Sequence, residues 1–154
     1  MRRKDKEITD VQHIHAIIKN AEFCHLSMCN DNIPYCVAMN YGVDPVNPSV
    51  LYLHGASLGQ KFDFIHSNPR VCITIETKCE LIRDDDVCEW GMRYESVILQ
   101  GSAEILSDDA EKTHGLRCIV GHFTEKLPES FPEQMLSRTA VIKATITEMT
   151  GKKA

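Results

Sequence analysis

The sequence has no apolar run that approaches the length of a membrane span, and its N-terminus lacks the apolar core of a signal peptide. Positive charge is also scarce, because 17 Lys and Arg stand against 22 Asp and Glu and give a net charge of −5. The basic cluster Arg2-Arg3-Lys4 with Lys6 is expected to be a solvated end of the chain. These features argue against membrane and nucleic-acid partners, and we expect a cytoplasmic protein.

Familiar cysteine motifs are missing, although the chain contains seven cysteines. Their number is odd, their spacing is irregular and no Cys-x2-Cys pair occurs. The sequence therefore predicts neither a disulfide framework nor a tetrahedral zinc site, and most of these thiols should serve as small apolar side chains in strands. Cys24, His25 and Cys29 lie close together, but no second Cys/His pair follows at a suitable spacing, so no metal site is predicted.

Two phosphate-binding motifs are absent as well, because neither Gly-x4-Gly-Lys-Ser/Thr nor Gly-x-Gly-x-x-Gly occurs. Residues 50–61 nevertheless contain the physical ingredients of a phosphate site. They start with β-formers, break at His54-Gly55, pass a second glycine, Gly59, and reach Lys61 at the start of an amphipathic segment. Glycines allow close backbone approach, and the N–H groups and dipole of a helix start attract anions. The alternative interpretation is an ordinary strand–turn–helix junction.

The length of 154 residues is suited to one domain with a sizeable core. Apolar periodicity predicts about six strands with interspersed helices, an arrangement typical of a small antiparallel barrel. The predicted strands are Glu22–Cys29, Ile33–Tyr41, Val50–Leu53, Arg70–Thr77, Arg93–Leu106 and Thr139–Thr147. The predicted helices begin at Thr9 or Asp10, after Gly59, at Ser107 and at Pro132. Gly151-Lys152-Lys153 is expected to be a tail.

Two details of strand pairing follow from the same patterns. Asp31 and Asn32 are turn formers between two β-like runs, so these runs should form a hairpin. The expected partners across it are Met28 with Tyr35, Leu26 with Val37, and Cys24 with Met39. Gly101 lies inside the fifth predicted strand, where it indicates a bulge or bend.

Several short motifs, in this order and spacing, resemble one family. They are Met1-Arg2-Arg3-Lys4-Asp5 with Glu7-Ile8; Ile33-Pro34-Tyr35; Leu51–Ala56 with Gly59-x-Lys61; Asn68–Cys72; Tyr94-x-Ser96-Val97 with Gly101; and Thr150-Gly151-Lys152. The sequence resembles the pyridoxamine 5'-phosphate oxidase-like FMN-binding split barrels, and within them the nitroimidazole-resistance (Nim-type) proteins. The resemblance covers nearly the whole chain.

The resemblance implies a single domain over residues 1–154, mainly β with flanking helices, built as a six-stranded antiparallel split β-barrel. It also implies a homodimer with FMN at the subunit interface, acting on a small-molecule substrate. The cofactor-binding residues implied are Cys36, Val37, Ala38, Met39, Tyr41, His54, Gly55, Ala56, Gly59, Gln60, Lys61, Ser96 and Val97. Among these, Lys61 would pair with the phosphate and Ser96 would offer a hydrogen bond.

His54 is the implied catalytic residue, because Nim-type proteins have a histidine at the matching position near flavin and substrate. The implied activity is reduction of small nitroaromatic, 5-nitroimidazole-like compounds, with His54 in proton transfer. The alternatives are a flavin- or haem-binding protein without turnover, an interaction module with a vestigial site, and a purely structural His54. The true oxidases have basic residues where this chain has Cys36 and Tyr41, so oxidase activity is not predicted. Arg70 or the N-terminal arginines are candidate partners for the phosphate.

Overall fold

The computed structural model of the chain describes residues 3–154. The strands are β1 (Glu7–Ile8), β2 (Cys24–Asn30), β3 (Ile33–Met39), β4 (Tyr41–Val43), β5 (Val50–Ala56), β6 (Arg70–Ile82), β7 (Gly91–Ile105) and β8 (Thr139–Lys153). The helices are α1 (Val11–Asn20), α2 (Gln60–Ser67), α3 (Asp109–Phe123) and α4 (Glu133–Arg138). Within the described chain, no helix has both the length and the apolar character that crossing a membrane requires.

The β2–β3 hairpin turns at two residues with left-handed backbone conformations, Asp31 at φ 49° and Asn32 at φ 62°. Asp and Asn tolerate these angles better than other residues with side chains, which explains the two-residue connection. The register agrees with the prediction from the sequence. It pairs Cys24 with Met39, Leu26 with Val37, and Met28 with Tyr35.

The sheet has the strand order β3-β2-β6-β7-β8-β5-β4, with β1 added to the end of β8. Its two outermost strands, β3 and β4, are consecutive in the chain and separated only by Asn40. Since β3 pairs with β2 and β4 pairs with β5, this bent segment joins the two ends of the sheet. The antiparallel sheet with flanking helices thereby closes as a barrel, which confirms the predicted fold class.

Residues 3–154 form eight strands, so the predicted count of six is wrong. The predicted strand Ile33–Tyr41 divides at Asn40 into β3 and β4, because its two halves pair with different neighbours. The additional strand β1 pairs Ile8 with Gly151. The predicted tail is part of β8, since Gly151 also pairs with Val97 of β7.

The barrel interior is formed by every second residue of each strand, whose side chains face inward. Val97 and Leu99 of β7 are fully buried, as are Ile73 of β6 and Ile142 of β8. Each such side chain contributes about 1.5–3 kcal/mol through burial. The β7–β8 register shifts between Gln100 and Gly101, which confirms the predicted irregularity at Gly101, although the extra residue, Thr147, lies in β8. A second apolar cluster lies outside the barrel, where α3 covers β5 and β8.

Candidate functional site

The junction between β5 and α2 turns at Gly59, whose φ of +144° is a conformation that side chains disfavour. Gly59 is also the N-cap residue of α2 and has no side chain to accept hydrogen bonds from the first turn. Its carbonyl accepts from the N–H of Phe62 at 3.1 Å. Because the first N–H groups of a helix lack intrahelical partners, those of Gln60 and Lys61 remain available for an anion.

The side chain of Lys61 folds back over this glycine-rich turn. A methyl carbon added to Gly55 would lie 3.1 Å from Lys61 Nζ, and one added to Gly59 would lie 3.5 Å from it. The ammonium group also lies 4.6 Å from the centroid of the Phe62 ring. Among residues 3–154, no carboxylate pairs with Lys61. The turn therefore has a cation without a protein counterion beside backbone that lacks Cβ atoms.

His54 precedes this turn on β5, where it pairs with Val141 of β8. Its side chain is exposed, while Leu53 on the opposite face is fully buried. Partial burial among its neighbours lowers the pKa of the His54 imidazole below its ordinary value. The ring is therefore mainly neutral at pH 7, with one nitrogen as donor and the other as acceptor.

Strand β3 brings its last residues to the same corner of the barrel. Met39 Cε lies 4.0 Å from the position that a Cβ on Gly55 would take. Cys36 and Ala38 face outward and are exposed, while Val37 and Met39 face the interior. Because β3 pairs only with β2 among the described strands, the backbone groups on its other edge remain open to a ligand.

Two implied cofactor contacts lie in the core instead. The Tyr41 side chain is fully buried, and its hydroxyl donates to the carbonyl of Ile18 and, at 3.3 Å, to that of Ala21. Val97 is fully buried as well. The strand alternation that turns Met39 and Leu99 inward places Tyr41 and Val97 on the same inner face. The structure therefore does not support cofactor contacts by these two side chains. Ser96, next to Val97, is partly exposed.

Arg138 is a basic residue near the turn that the sequence did not indicate. Its carbonyl accepts a hydrogen bond from the N–H of Ser57 at 3.2 Å, and the following residue, Thr139, pairs with Ala56. The long sequence separation hides this proximity, and only the pairing of the last strand with β5 would reveal it.

Of the basic partners considered from the sequence, Arg3 pairs with Asp5 at 2.5 Å. Arg2 lies outside the described residues, and Arg70 begins β6.

Together these features define a closed antiparallel barrel with a lysine-bearing, glycine-lined turn between one strand and the helix that follows it. The family model described as pyridoxamine 5'-phosphate oxidase matches residues 10–153. The chain therefore belongs to the pyridoxamine 5'-phosphate oxidase family, which confirms the resemblance noted in its sequence. A comparison with curated proteins gave no significant match.

Solved structures give the same fold. A protein from Bacteroides thetaiotaomicron, provisionally assigned to 5-nitroimidazole antibiotic resistance, is 32% identical with a TM-score of 0.82, covering 96% of this chain and 86% of that one. The flavocytochrome Anf3 from Azotobacter vinelandii is 23% identical with a TM-score of 0.82, covering 100% and 72%. A FAD- and haem-binding protein from Mycobacterium smegmatis is 15% identical with a TM-score of 0.83, covering 97% and 73%.

Proposed function

We propose that the chain is an FMN-binding flavoprotein that holds the cofactor phosphate at the junction of β5 and α2. The observation that carries the proposal is the position of Lys61, a cation with no acidic partner among residues 3–154, beside the backbone of Gly55 and Gly59. The description of one structural relative as FAD- and haem-binding, and of another as a flavocytochrome, supports a flavin in general terms. The phosphate of FMN is the group that we expect to bind next to Lys61, Gly55 and Gly59.

The chemistry of the turn fits a phosphate group. A Cβ at residue 55 or 59 would occupy space next to Lys61 Nζ, so the two glycines keep that space open. The first N–H groups of α2 add hydrogen-bond donors, and the helix dipole favours negative charge there. The whole chain carries a net charge of −5, so a dianion needs a local cation. Arg138, next to the turn, is our candidate for a second one.

The outer face of β3 is suited to a flat ring. Cys36 and Ala38 are small and exposed, so a planar group can approach the backbone of this strand. Cys36 Sγ lies 3.3 Å from the hydroxyl of Ser27 and is available at the surface. We expect Val37 and Met39 to contribute through their backbone atoms, and Ser96 through its partly exposed hydroxyl.

We further propose that the substrate is a small nitroaromatic or a similarly electron-poor compound. Bound FMN would supply the redox chemistry that the side chains lack. Reduction of a nitro group to a nitroso group takes up two electrons and two protons and releases one water. The electrons require an external donor, for which reduced nicotinamide and dithionite are the probes. His54 is exposed beside the turn and can hold a proton at a ring nitrogen, so we assign it the proton transfer.

A homodimer with FMN at its interface is part of this proposal. Beyond the irregularity between Thr77 and Glu80, β6 and β7 continue as an exposed hairpin. Apolar side chains on this hairpin and on the outer face of β7 are 40–49% exposed: Leu81, Ile82, Trp90, Met92 and Ile98. Such a concentration of exposed apolar groups is typical of a surface that a partner covers. Light scattering should give twice the chain mass.

The absorption spectrum of the purified protein tests the proposed cofactor. Two broad bands in the near-ultraviolet and blue would support a flavin, and release on denaturation followed by chromatography would distinguish FMN from FAD. One sharp, intense band would support haem and contradict the proposal. A colourless protein that takes up neither cofactor would contradict it as well. Anaerobic reduction followed by addition of a nitroimidazole then tests the activity, which requires reoxidation of the flavin with loss of the nitro chromophore.

A further inference from the structure

A cluster of three potential metal ligands lies between α3 and the loop from β4 to β5. His114 Nε2 is 2.8 Å from Asp44 Oδ2, and Cys118 Sγ is 3.6 Å from His114 Nε2. The three ligand atoms all lie within 4.8 Å of one another. His114 and Cys118 are four residues apart on one helix, so both project from the same face. No residue of this cluster has a role in the proposed flavin site.

The spacing of these atoms is close to that of a tetrahedral zinc site. Zinc bonds of about 2.3 Å to sulfur and about 2.0–2.1 Å to imidazole nitrogen place those two atoms about 3.5 Å apart. The observed distance from Cys118 Sγ to His114 Nε2 is 3.6 Å. Nitrogen and carboxylate oxygen would be about 3.4 Å apart on the same bond lengths. The 2.8 Å between His114 and Asp44 would therefore open by about 0.6 Å, which is within reach of a surface histidine.

Asp44 is already oriented as a ligand. Its Oδ1 accepts hydrogen bonds from the N–H groups of Val46 at 2.8 Å and Asn47 at 3.0 Å. Its Oδ2, the oxygen that faces His114, lies 3.3 Å from the hydroxyl of Tyr52. One oxygen therefore holds the loop while the other is presented to the cluster, and such supporting hydrogen bonds are typical of metal-binding carboxylates.

The cluster borders a cavity of about 870 Å³ formed by α1, α3 and the β4–β5 loop. Asp44, His114 and Cys118 all line it, and His15 lies on its α1 side. Three protein ligands leave one tetrahedral position free, which this cavity would supply with water or a small ligand. His122 also lines the cavity, but its Nε2 contacts the carbonyl of Ala21 at 2.7 Å, which engages that nitrogen.

We propose that Asp44, His114 and Cys118 bind one Zn²⁺ ion, with the fourth position open to the cavity. The mixture of thiolate, imidazole and carboxylate favours zinc over Mg²⁺ or Ca²⁺, which prefer oxygen ligands. Without metal, burial and the Asp44 carboxylate raise the pKa of Cys118 to about 11, so the thiol is protonated. The metal ion must displace that proton, as it does for other cysteine ligands.

The competing explanation is a structural contact, in which the Asp44–His114 hydrogen bond fastens the β4–β5 loop to α3. Titration with Co²⁺ under reducing conditions separates the two explanations. A thiolate ligand to Co²⁺ produces an intense near-ultraviolet band together with visible bands typical of tetrahedral coordination. We expect these bands to saturate at one Co²⁺ per chain and to disappear when Zn²⁺ is added.

Three variants identify the ligands. Cys118→Ser should abolish the thiolate band, while Cys29→Ser, at an exposed position on β2, should leave it unchanged. Asp44→Asn keeps an oxygen that can accept from Val46 and Asn47 but replaces the oxygen facing His114. Loss of a residue that only orients a metal ligand weakens metal binding by ~10–100-fold. Because Asp44 is a proposed ligand, Asp44→Asn should weaken Zn²⁺ binding by more than this. Thermal melting monitors the fold of each variant.

A measurement on the unaltered protein keeps the proposal testable if a variant does not fold. X-ray absorption of the unaltered protein with one equivalent of Zn²⁺ should show one sulfur ligand at about 2.3 Å together with nitrogen or oxygen ligands at about 2.0–2.2 Å. The proposal is overturned if Co²⁺ gives no thiolate band or if Cys118→Ser retains it. Binding by Asp44→Asn with wild-type affinity, or a Zn²⁺ complex of the unaltered protein without a sulfur ligand, would also overturn it.

Discussion

The ammonium group of Lys61 lies against the backbone of Gly55, where a methyl carbon would be 3.1 Å from Nζ and 3.0 Å from Cε. These two residues belong to different elements, because Gly55 is in β5 and Lys61 is in the first turn of α2. Their contact explains why position 55, the second-to-last residue of β5, is a glycine. It also locates the positive charge over the same turn that contains the first N–H groups of α2, which lack intrahelical partners.

Gly55→Ala should weaken FMN binding while leaving the fold intact. The new methyl group would touch Met39 Cε at an ordinary 4.0 Å and would crowd only the flexible end of Lys61, which can move aside but would then leave its position over the turn. We expect about a threefold to tenfold rise in the Kd for FMN, measured by flavin fluorescence quenching. Gly121→Ala in α3 is the matched control, since its methyl would approach Leu127 Cδ2 at 3.3 Å, outside this site.

Lys61→Ala should have a larger effect on the same measurement. It removes the cation that the phosphate would contact, and a charge-assisted hydrogen bond contributes about 1.5–3 kcal/mol. We expect FMN affinity to fall about 10–150-fold. Lys126→Ala, at an exposed position in the loop after α3, is the control for a general change of net charge. Equal losses in both variants would show that Lys61 has no specific part in binding.

His54 should titrate below the ordinary histidine pKa of about 6.5, because partial burial disfavours its charged form. The unfolded chain then binds more protons than the folded one as the pH falls through this range. The contribution of His54 to stability is therefore complete above pH ~6.5 and decreases toward acid pH. NMR titration of the imidazole measures this pKa directly.

The same pKa sets the expected pH profile of nitro reduction. If protonated His54 donates the proton, turnover should rise as the pH is lowered from 8 toward 6, where the charged form becomes populated. His54→Gln should lower turnover and flatten this rise, with FMN affinity within about twofold of the wild type. If His54→Gln keeps the wild-type pH profile, His54 is not the proton donor in nitro reduction.

Gly42→Ala should destabilise the protein strongly, since the added methyl carbon would lie 2.2 Å from the carbonyl oxygen of Cys118. Two backbone segments, β4 and α3, would have to separate, and we expect a loss of about 2–4 kcal/mol. Urea denaturation measures this change. Gly91→Ala, where nothing lies within 4 Å of the new methyl group, should change stability by less than about 1 kcal/mol.

Local chemistry explains which parts of the fold were predictable. Asp31 and Asn32 accept left-handed conformations, so the hairpin and its register could be inferred from residues 22–41 alone. Asp10 and Asp108 cap α1 and α3 through their side chains, at or next to the helix starts predicted at Thr9 or Asp10 and at Ser107. The division of the third strand at Asn40 was not predictable, because it depends on which strands lie on each side of it.

Contacts between distant residues explain what the sequence did not reveal about the sites. Asp44 and His114 are separated by 70 residues and meet only after α3 has packed against β4. The spacing of His114 and Cys118 was the one local sign of their cluster. Arg138 comes close to Ser57 through the pairing of β5 with β8. The glycine-lined turn before Lys61 was predictable because its parts are consecutive in the chain.

Tyr41→Phe tests whether Tyr41 stabilises the core, as the structure indicates, or contacts FMN, as the family resemblance implied. The variant removes the hydroxyl that donates to the carbonyls of Ile18 and Ala21. Since His122 Nε2 also contacts Ala21 at 2.7 Å, the carbonyl of Ile18 is the one that loses its side-chain donor. An unsatisfied buried acceptor costs about 1–3 kcal/mol, so we expect Tm to fall by about 2–12 °C. The flavin spectrum and FMN affinity should remain unchanged. A loss of FMN affinity without a change in Tm would show instead that Tyr41 contacts the cofactor.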